Sequence, residues 1–240
     1  MFVNDLIRCL YPNKCAGCDE IIEEDKSLCD YCLHMINNID YYNLCQKCGL
    51  PKEHCRCKYR EYHFVRLISV YKNEGIARKV YYSYKLSRRE ELALFFAKKT
   101  ADIVKMLYGN IEFDAVMCVP TVLRSKIKRG FDHVEIITKE VAEILNIPFI
   151  NGVLKVRDMR TPQHKAIFAE RLENVQGKYY TVKRIDKDRV LLFDDISTTG
   201  ATLDECAKEL MFAGVKEVYC VVVLSTDIKK TNNEDKKYGN

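Results

Sequence analysis

Nine of the twelve cysteines in this chain of 240 residues precede residue 58, and eight of those nine stand in tight pairs: Cys15/Cys18, Cys29/Cys32, Cys45/Cys48 and Cys55/Cys57. Three C-x-x-C pairs and one C-x-C are metal spacing. Two thiolates three residues apart reach one tetrahedral ion, and a second pair completes its shell. Disulfides are the alternative use of so many thiols, but they staple small exported domains. The N-terminus has no basic stretch followed by an apolar block, so no secretory signal is expected, and the chain is long enough to bury a core of its own. Cys15, Cys18, Cys29, Cys32, Cys45, Cys48, Cys55 and Cys57 are therefore read as ligands of one or two structural Zn²⁺ ions. Pairing in sequence order keeps the loops short. Interleaved pairing would use the same thiolates, and His54, beside Cys55, is an alternative ligand.

Charge limits what this module does. Residues 1–61 carry eight basic and ten acidic side chains, and zinc-bound thiolates add further negative charge. A surface of that sign has no basic footprint for phosphate backbones, on which nucleic-acid affinity mainly depends. The module is expected to be a folding staple or a knob for a partner protein. The whole chain is only mildly basic, with 39 Lys and Arg against 34 Asp and Glu. No apolar run approaches the roughly 18 residues of a membrane-spanning helix, so a cytoplasmic protein is expected.

The texture changes after about residue 62. An N-terminal zinc module (1–62), opened by an amphipathic turn (Phe2, Val3, Leu6, Ile7, Leu10), gives way to a segment (63–228) in which β-branched runs alternate with helical periodicity. A polar tail (229–240), read as disordered, follows. Strands are expected near Val65–Tyr71, Ala115–Val119, Ile147–Ile150, Arg189–Phe193 and Glu217–Leu224. Helices are expected near Arg89–Leu107, His133–Leu145 and Thr202–Phe212. This alternation predicts an α/β fold with a mainly parallel sheet flanked by helices.

Chemistry concentrates in Val190 to Thr202. Four apolar residues form a strand buried on both faces; Asp194 and Asp195 end it, and Ser197-Thr198-Thr199-Gly200-Ala201-Thr202 turns into a helix. Small residues, hydroxyls and unpaired helix N-terminal amides suit a single phosphate. The lysine of a nucleoside-triphosphate loop is missing, as is a G-x-G-x-x-G fingerprint. Two carboxylates about 4 Å from a phosphate would repel it by some 4 kcal/mol per charge pair at an effective dielectric near 20, so a site for phosphate alone would not keep them. Acceptor-only groups suit a diol or a metal, and a phosphate beside a diol outlines a ribose 5-phosphate. Successive side chains on a strand face opposite ways, so both acids serve one ligand only if the strand breaks there.

This stretch resembles the signature of type I phosphoribosyltransferases, which bind phosphoribosyl pyrophosphate (PRPP). The resemblance implies that Asp194 and Asp195 hold the ribose hydroxyls and that Thr198 to Thr202 surround the 5-phosphate. A wider set of motifs occurs in one order: the cysteine pairs, Cys45-Gln46-Lys47-Cys48-Gly49-Leu50-Pro51, Tyr84-Lys85-Leu86-Ser87-Arg88-Arg89, Val119-Pro120, Arg129-Gly130-Phe131-Asp132-His133 and Gln163-His164. Together they resemble the ComF/GntX family of late competence proteins, a zinc ribbon fused to a phosphoribosyltransferase domain. The last cysteine pair departs from C-x-x-C, and Asp132-His133 stands where Asn-Gln is common.

The resemblance implies a PRPP-dependent transferase with Mg²⁺ as the companion of PRPP, an unassigned acceptor, and a link to natural transformation and DNA uptake. Asp194, Asp195 and Arg129 are its catalytic candidates. Arg124, Lys126, Lys128 and Arg129 put four cations in six residues, of which Arg124, Lys128 and Arg129 are the candidate pyrophosphate group. Residues 155–174, with Arg157, Arg160, Gln163, His164, Lys165, Arg171 and Asn174, would supply a closing loop. Lys85, Arg88 and Arg89 are read as a solvated helix start, and Cys118, Cys206 and Cys220 as inert core thiols. A second expectation, of a different class, is a DNA-handling factor that uses the same fold to bind single-stranded DNA without turnover, with recombination or uptake proteins docking on the zinc module.

Overall fold

A computed structural model describes residues 12–36, 39–55, 57–87, 89–157 and 177–226; for Ser87, Ser125, Lys128 and Arg129 it describes only the backbone. The amphipathic turn at residues 2–10, Arg88, most of the expected closing loop (Arg160 to Asn174) and the polar tail lie outside these residues.

The β-branched runs of the second segment become β1 (Arg66–Lys72), β2 (Ala115–Cys118), β5 (Arg189–Ser197) and β6 (Glu217–Ser225), all parallel, in the order β1-β6-β5-β2. Beyond β2 the expected strand at 147–150 shrinks to one parallel bridge between Val116 and Phe149. Pro148 has no amide to donate, so the ladder there cannot extend. A separate antiparallel pair joins β3 (Leu154–Val156) to β4 (Tyr179–Thr181).

Side-chain alternation along the strands sorts the core into two faces. Val190 and Leu192 lie with Ala115, Met117, Val218, Cys220 and Val222; Leu191 and Phe193 lie with Val116, Cys118, Tyr219 and Val221. The first face is covered by α6 (Ala201–Phe212), through Leu203, Cys206, Ala207 and Leu210, and by Leu154 and Tyr179 of the small pair. The second is covered by α2 (Gly75–Ser87), α3 (Leu92–Tyr108) and α5 (His133–Leu145). Strands buried on both faces need continuous apolar runs, which is what β5 and β6 carry.

Two helices were not anticipated. In α2, Ala77, Val80, Tyr81 and Tyr84 are all buried at helical spacing, but the segment is rich in tyrosine, a middling helix former, and its apolar and polar residues nearly balance. The other, α4 (Leu123–Arg129), runs through the cationic stretch of the candidate pyrophosphate group; it leaves Leu123 and Ile127 exposed, so it shows no apolar face to read.

The cysteine module forms two knuckles, one on each face of the sheet. The first, with α1 (Asp30–Met35), packs Cys15, Ala16, Leu28, Cys32 and Ile36 into the face covered by α2, α3 and α5. The second packs Cys48 and Leu50 into the α6 face and accepts a hydrogen bond at the Lys47 carbonyl from the amide of Leu67 (2.8 Å). That bond occupies part of the outer edge of β1, which would otherwise offer an open strand edge.

Candidate functional site

Two four-cysteine groups assemble in sequence order: Cys15, Cys18, Cys29 and Cys32, then Cys45, Cys48, Cys55 and Cys57. A tetrahedral ion with Zn–S bonds near 2.3 Å requires sulfurs about 3.8 Å apart. The pairs Cys18–Cys29, Cys45–Cys57 and Cys48–Cys55 stand at 3.7, 3.8 and 3.9 Å. The C-x-C pair thus closes its shell as well as C-x-x-C does, and without His54. Main-chain amides support the sulfurs: those of Gly17 and Cys29 donate to Cys15 Sγ (3.4 and 3.3 Å). Burial opposes ionisation of Cys15, but these amides bring the thiol down to about 6; at half-buried Cys45 the amides of Cys48 and Lys47 likewise outweigh desolvation, and it falls to about 7. One thiol of each group is thus poised to ionise, while burial and the neighbouring sulfurs push Cys32 and Cys57 above the ordinary thiol range; four sulfurs in a pre-formed tetrahedron around such a thiol fit structural zinc. The remaining core thiols have no such group among the described residues. Burial pushes Cys118 up to about 12, and Cys206 and Cys220 well above the ordinary thiol range.

The second centre follows from the topology. After β2 the chain passes by way of α4 to α5 on one face of the sheet, and after the adjacent β5 it passes to α6 on the other. Neighbouring strands whose connections leave in opposite directions open a crevice at their carboxyl ends, where α/β sheets bind ligands. Asp194, Asp195 and the bend at 198–200 lie at that end of β5.

The expected strand break after the acids does not occur. β5 continues to Ser197 with unshifted register, Asp194 opposite Val222 and Ile196 opposite Leu224, so the two acids leave the strand on opposite faces while their carboxyl groups stay within hydrogen-bonding reach of each other. The difference is physical: β6 is equally long and apolar, so its ladder carries β5 past the acids. Asp195 turns toward α2 and α5. Its Oδ2 accepts from Lys85 Nζ (2.5 Å) and meets His133 Nε2 (3.0 Å), and its Oδ1 accepts from the amide of Ile196 (2.7 Å). Burial works against the Asp195 charge, but the His133 hydrogen bond and the Lys85 cation outweigh it and hold the carboxyl below the usual range. Asp194 turns to the α6 face, near Tyr179 and Cys206, and its Oδ1 accepts from the amide of Asp195 (2.8 Å). Burial and the neighbouring Asp195 charge push it well above the usual range. Asp195 is thus shifted toward its charged form and Asp194 toward its neutral form.

The bend itself is as expected. Gly200, at φ +73°, caps α6 without a side chain. The first three helical amides have no intrahelical partner. The hydroxyl of Thr199 accepts from the amide of Ala201 (3.2 Å), and the first helical bond runs from the Asp204 amide to the Gly200 carbonyl (2.8 Å). Ser197 closes the strand, its carbonyl accepting from the Thr226 amide (2.8 Å), and Thr202 lies in the first turn. On the other side of the crevice Arg124 is exposed on α4, whose backbone also carries Lys128 and Arg129. Lys126 is not available to a ligand in the same way: it pairs with Asp132 (2.5 Å), the N-cap of α5.

Asp204 was not anticipated, and Lys85 corrects the reading of a solvated helix start: it lies in the last turn of α2 and pairs with Asp195, beside His133. Lys85 lies four residues after buried Tyr81 on α2, a spacing that marks it as sharing that face once the helix is recognised. His133, in the departing Asp132-His133 pair, is buried at the site. Asp204, also buried, accepts from Arg60 Nη2 (2.8 Å) and the His63 amide (2.6 Å), partners more than 140 residues away for which the sequence carries no signal.

Residues 6–62 match the family model described as a double zinc ribbon domain. Competence protein F of Haemophilus influenzae is 26% identical over 212 residues, which is 85% of this chain and 86% of that protein. DNA utilization protein YhgH of Salmonella typhimurium is 25% identical over 205 residues, 81% of this chain and 89% of that protein. The resemblance to the ComF/GntX family is borne out. The chain also has likenesses among solved structures. Glutamine PRPP amidotransferase from B. subtilis is 24% identical, covering 57% of this chain and 26% of that one, at a TM-score of 0.35. Purine phosphoribosyltransferase from Pyrococcus horikoshii is 19% identical, covering 57% and 83%, at a TM-score of 0.33. Among the described residues, no helix is long and apolar enough to cross a membrane.

Proposed function

We propose that the chain binds PRPP, as its Mg²⁺ complex, in the crevice between β2 and β5, and transfers its phosphoribosyl group to an acceptor that the site does not identify. One juxtaposition carries this reading. The amide-rich start of α6 and two acids of opposite protonation tendency share one edge of the sheet, at the point where its connections diverge. A 5-phosphate at Ser197 to Thr202 would meet unpartnered amides and hydroxyls. The ribose hydroxyls would meet Asp194 and Asp195, and the pyrophosphate would meet the cationic stretch of Arg124, Lys128 and Arg129. Because Lys85 already occupies its Oδ2, Asp195 would reach the sugar or its metal only by exchanging Lys85 for it. Catalysis would rest on positioning and on electrostatic support of the departing pyrophosphate, with Arg129 as the nearest cation by sequence motif. A reduced zinc-thiolate module fits work in the cytoplasm.

A second reading is favoured by the names of the relatives, one a competence protein and another a DNA utilization protein: the same domain contacts single-stranded DNA during uptake, with the zinc module docking partner proteins. The two are separable by equilibrium dialysis with labelled PRPP and, in parallel, with a labelled oligonucleotide across a salt series. PRPP binding that needs Mg²⁺, is displaced by ribose 5-phosphate plus pyrophosphate and persists at moderate salt supports the first reading. DNA binding that falls steeply with salt, alongside no retention of PRPP, would replace it with the second.

A further inference from the structure

The segment that joins the second knuckle to β1 does not merely connect. Tyr62 and Phe64 are buried and stack on each other with ring centroids 4.8 Å apart. Both press on Gly200: a Cβ added there would lie 3.5 Å from Phe64 Cζ and 3.6 Å from Tyr62 Cε1. The Tyr62 hydroxyl donates to the Thr199 carbonyl (3.3 Å). On either side of Tyr62, Arg60 and the amide of His63 both end on the buried carboxylate of Asp204, in the first turn of α6. The same segment leans on the second four-cysteine group. Cys48 is buried in one cluster with Tyr62 and Phe64, and Cys45, Cys55 and Cys57 pack against it. The first four-cysteine group lies on the opposite face, where Cys15 and Cys32 belong to the cluster of Tyr81, Tyr84 and Phe96, separate from that of Tyr62 and Phe64.

We infer that the second four-cysteine site, through Tyr62, Phe64 and Asp204 as positioning residues, sets the conformation of the 198–204 bend, and that the first site does not. The consequence for function rests on the assignment of this bend as the phosphate loop. The mechanical claim does not. With zinc bound, Cys55 and Cys57 are pinned three to nine residues upstream of the linker contacts, so the aromatic pair has one seat. Without it, the linker loses its anchor on that side, and the Thr199 carbonyl and Asp204 lose their partners.

Hydrogen–deuterium exchange on the zinc-loaded full chain reads the bend with no ligand present, so failure of PRPP to bind would leave this test intact. Cys57→Ser is expected to lower zinc content from two ions to one and to speed exchange of the 198–204 amides by roughly tenfold or more, with β6 (Glu217–Ser225) unchanged as the internal reference. Cys18→Ser should also lower zinc to one and leave 198–204 at the wild-type rate. Equal acceleration in both variants, or none in Cys57→Ser, overturns the inference. Should Cys57→Ser lose the whole fold, seen as fast exchange in β6, Tyr62→Phe decides. Faster exchange confined to 198–204 with two zinc ions retained supports the coupling, and an unchanged bend refutes it.

Discussion

The two knuckles share a ligand set and a chain spacing of similar length, yet they are docked differently. The first seats small residues against helices: a Cβ on Gly17 would lie 2.8 Å from Cys32 Sγ and 3.1 Å from Ile76 Cγ2. The second seats its backbone against a strand. Gly49 has φ +68°, and a Cβ there would lie 2.6 Å from the Leu67 carbonyl oxygen. The same metal chemistry thus supports two jobs, a brace for the α2–α3–α5 layer and an anchor for the edge of β1 and the linker beside the bend. A zinc module need not touch DNA to matter to a protein of this kind; it can act on the site through the fold.

The largest effect that would break or sharpen this comparison comes from removing both metals. Chelation is expected to lower the melting temperature by about 10 °C or more, since site assembly contributes directly to folding. A fall of only a degree or two would mean the knuckles are ornaments. Next is Asp195→Asn, which leaves Lys85 without its buried counter-charge and should cost about 3 kcal/mol in denaturant unfolding at pH 7.

The glycines test the docking itself. Gly49→Ala needs both a positive φ and a clash with main chain, and is expected to cost about 2–4 kcal/mol. Gly17→Ala meets side-chain atoms at ordinary φ and should cost about 1–2 kcal/mol. The reverse order would show that the first knuckle is the more tightly seated.

Asp194→Asn should give the smallest change, and in the opposite direction. The native Asp194 carboxyl holds its proton to higher pH than the unfolded chain does, so its contribution to stability falls as pH rises above about 4. The amide variant removes that loss and is expected to gain about 1 kcal/mol at pH 7, with no gain at pH 4. Asp195 has the opposite sign: its contribution is present above the ordinary carboxylate pKa and is lost as pH falls below it.

Much of this architecture was legible in the sequence. Short-range spacing picked out the eight thiolates, because a C-x-x-C pair finds its metal locally, but left open how the pairs combine, which the fold decides. The periodicity of α5 was read to its ends, since Asp132 caps it and Asn146 closes it at positive φ. What escaped was set at long range. The continuation of β5 past Asp194 depends on the length of β6, and the pairing of Asp195 with Lys85 and His133 depends on two helices packing side by side. The linker bonds to Asp204 join ends of the chain far apart in sequence. α2 was missed for a local reason, a tyrosine-rich face that scores as neither apolar nor polar.

The central claim is that the β2–β5 crevice binds a ribose 5-phosphate diphosphate through a pair of adjacent acids and a helix start. It is tested most directly by calorimetric titration of PRPP with Mg²⁺ into the zinc-loaded full chain and into the Asp194→Asn/Asp195→Asn double variant. The expected result is saturable one-to-one binding heat in the parent chain and none in the variant. No heat in the parent, or the same heat in both, would contradict it.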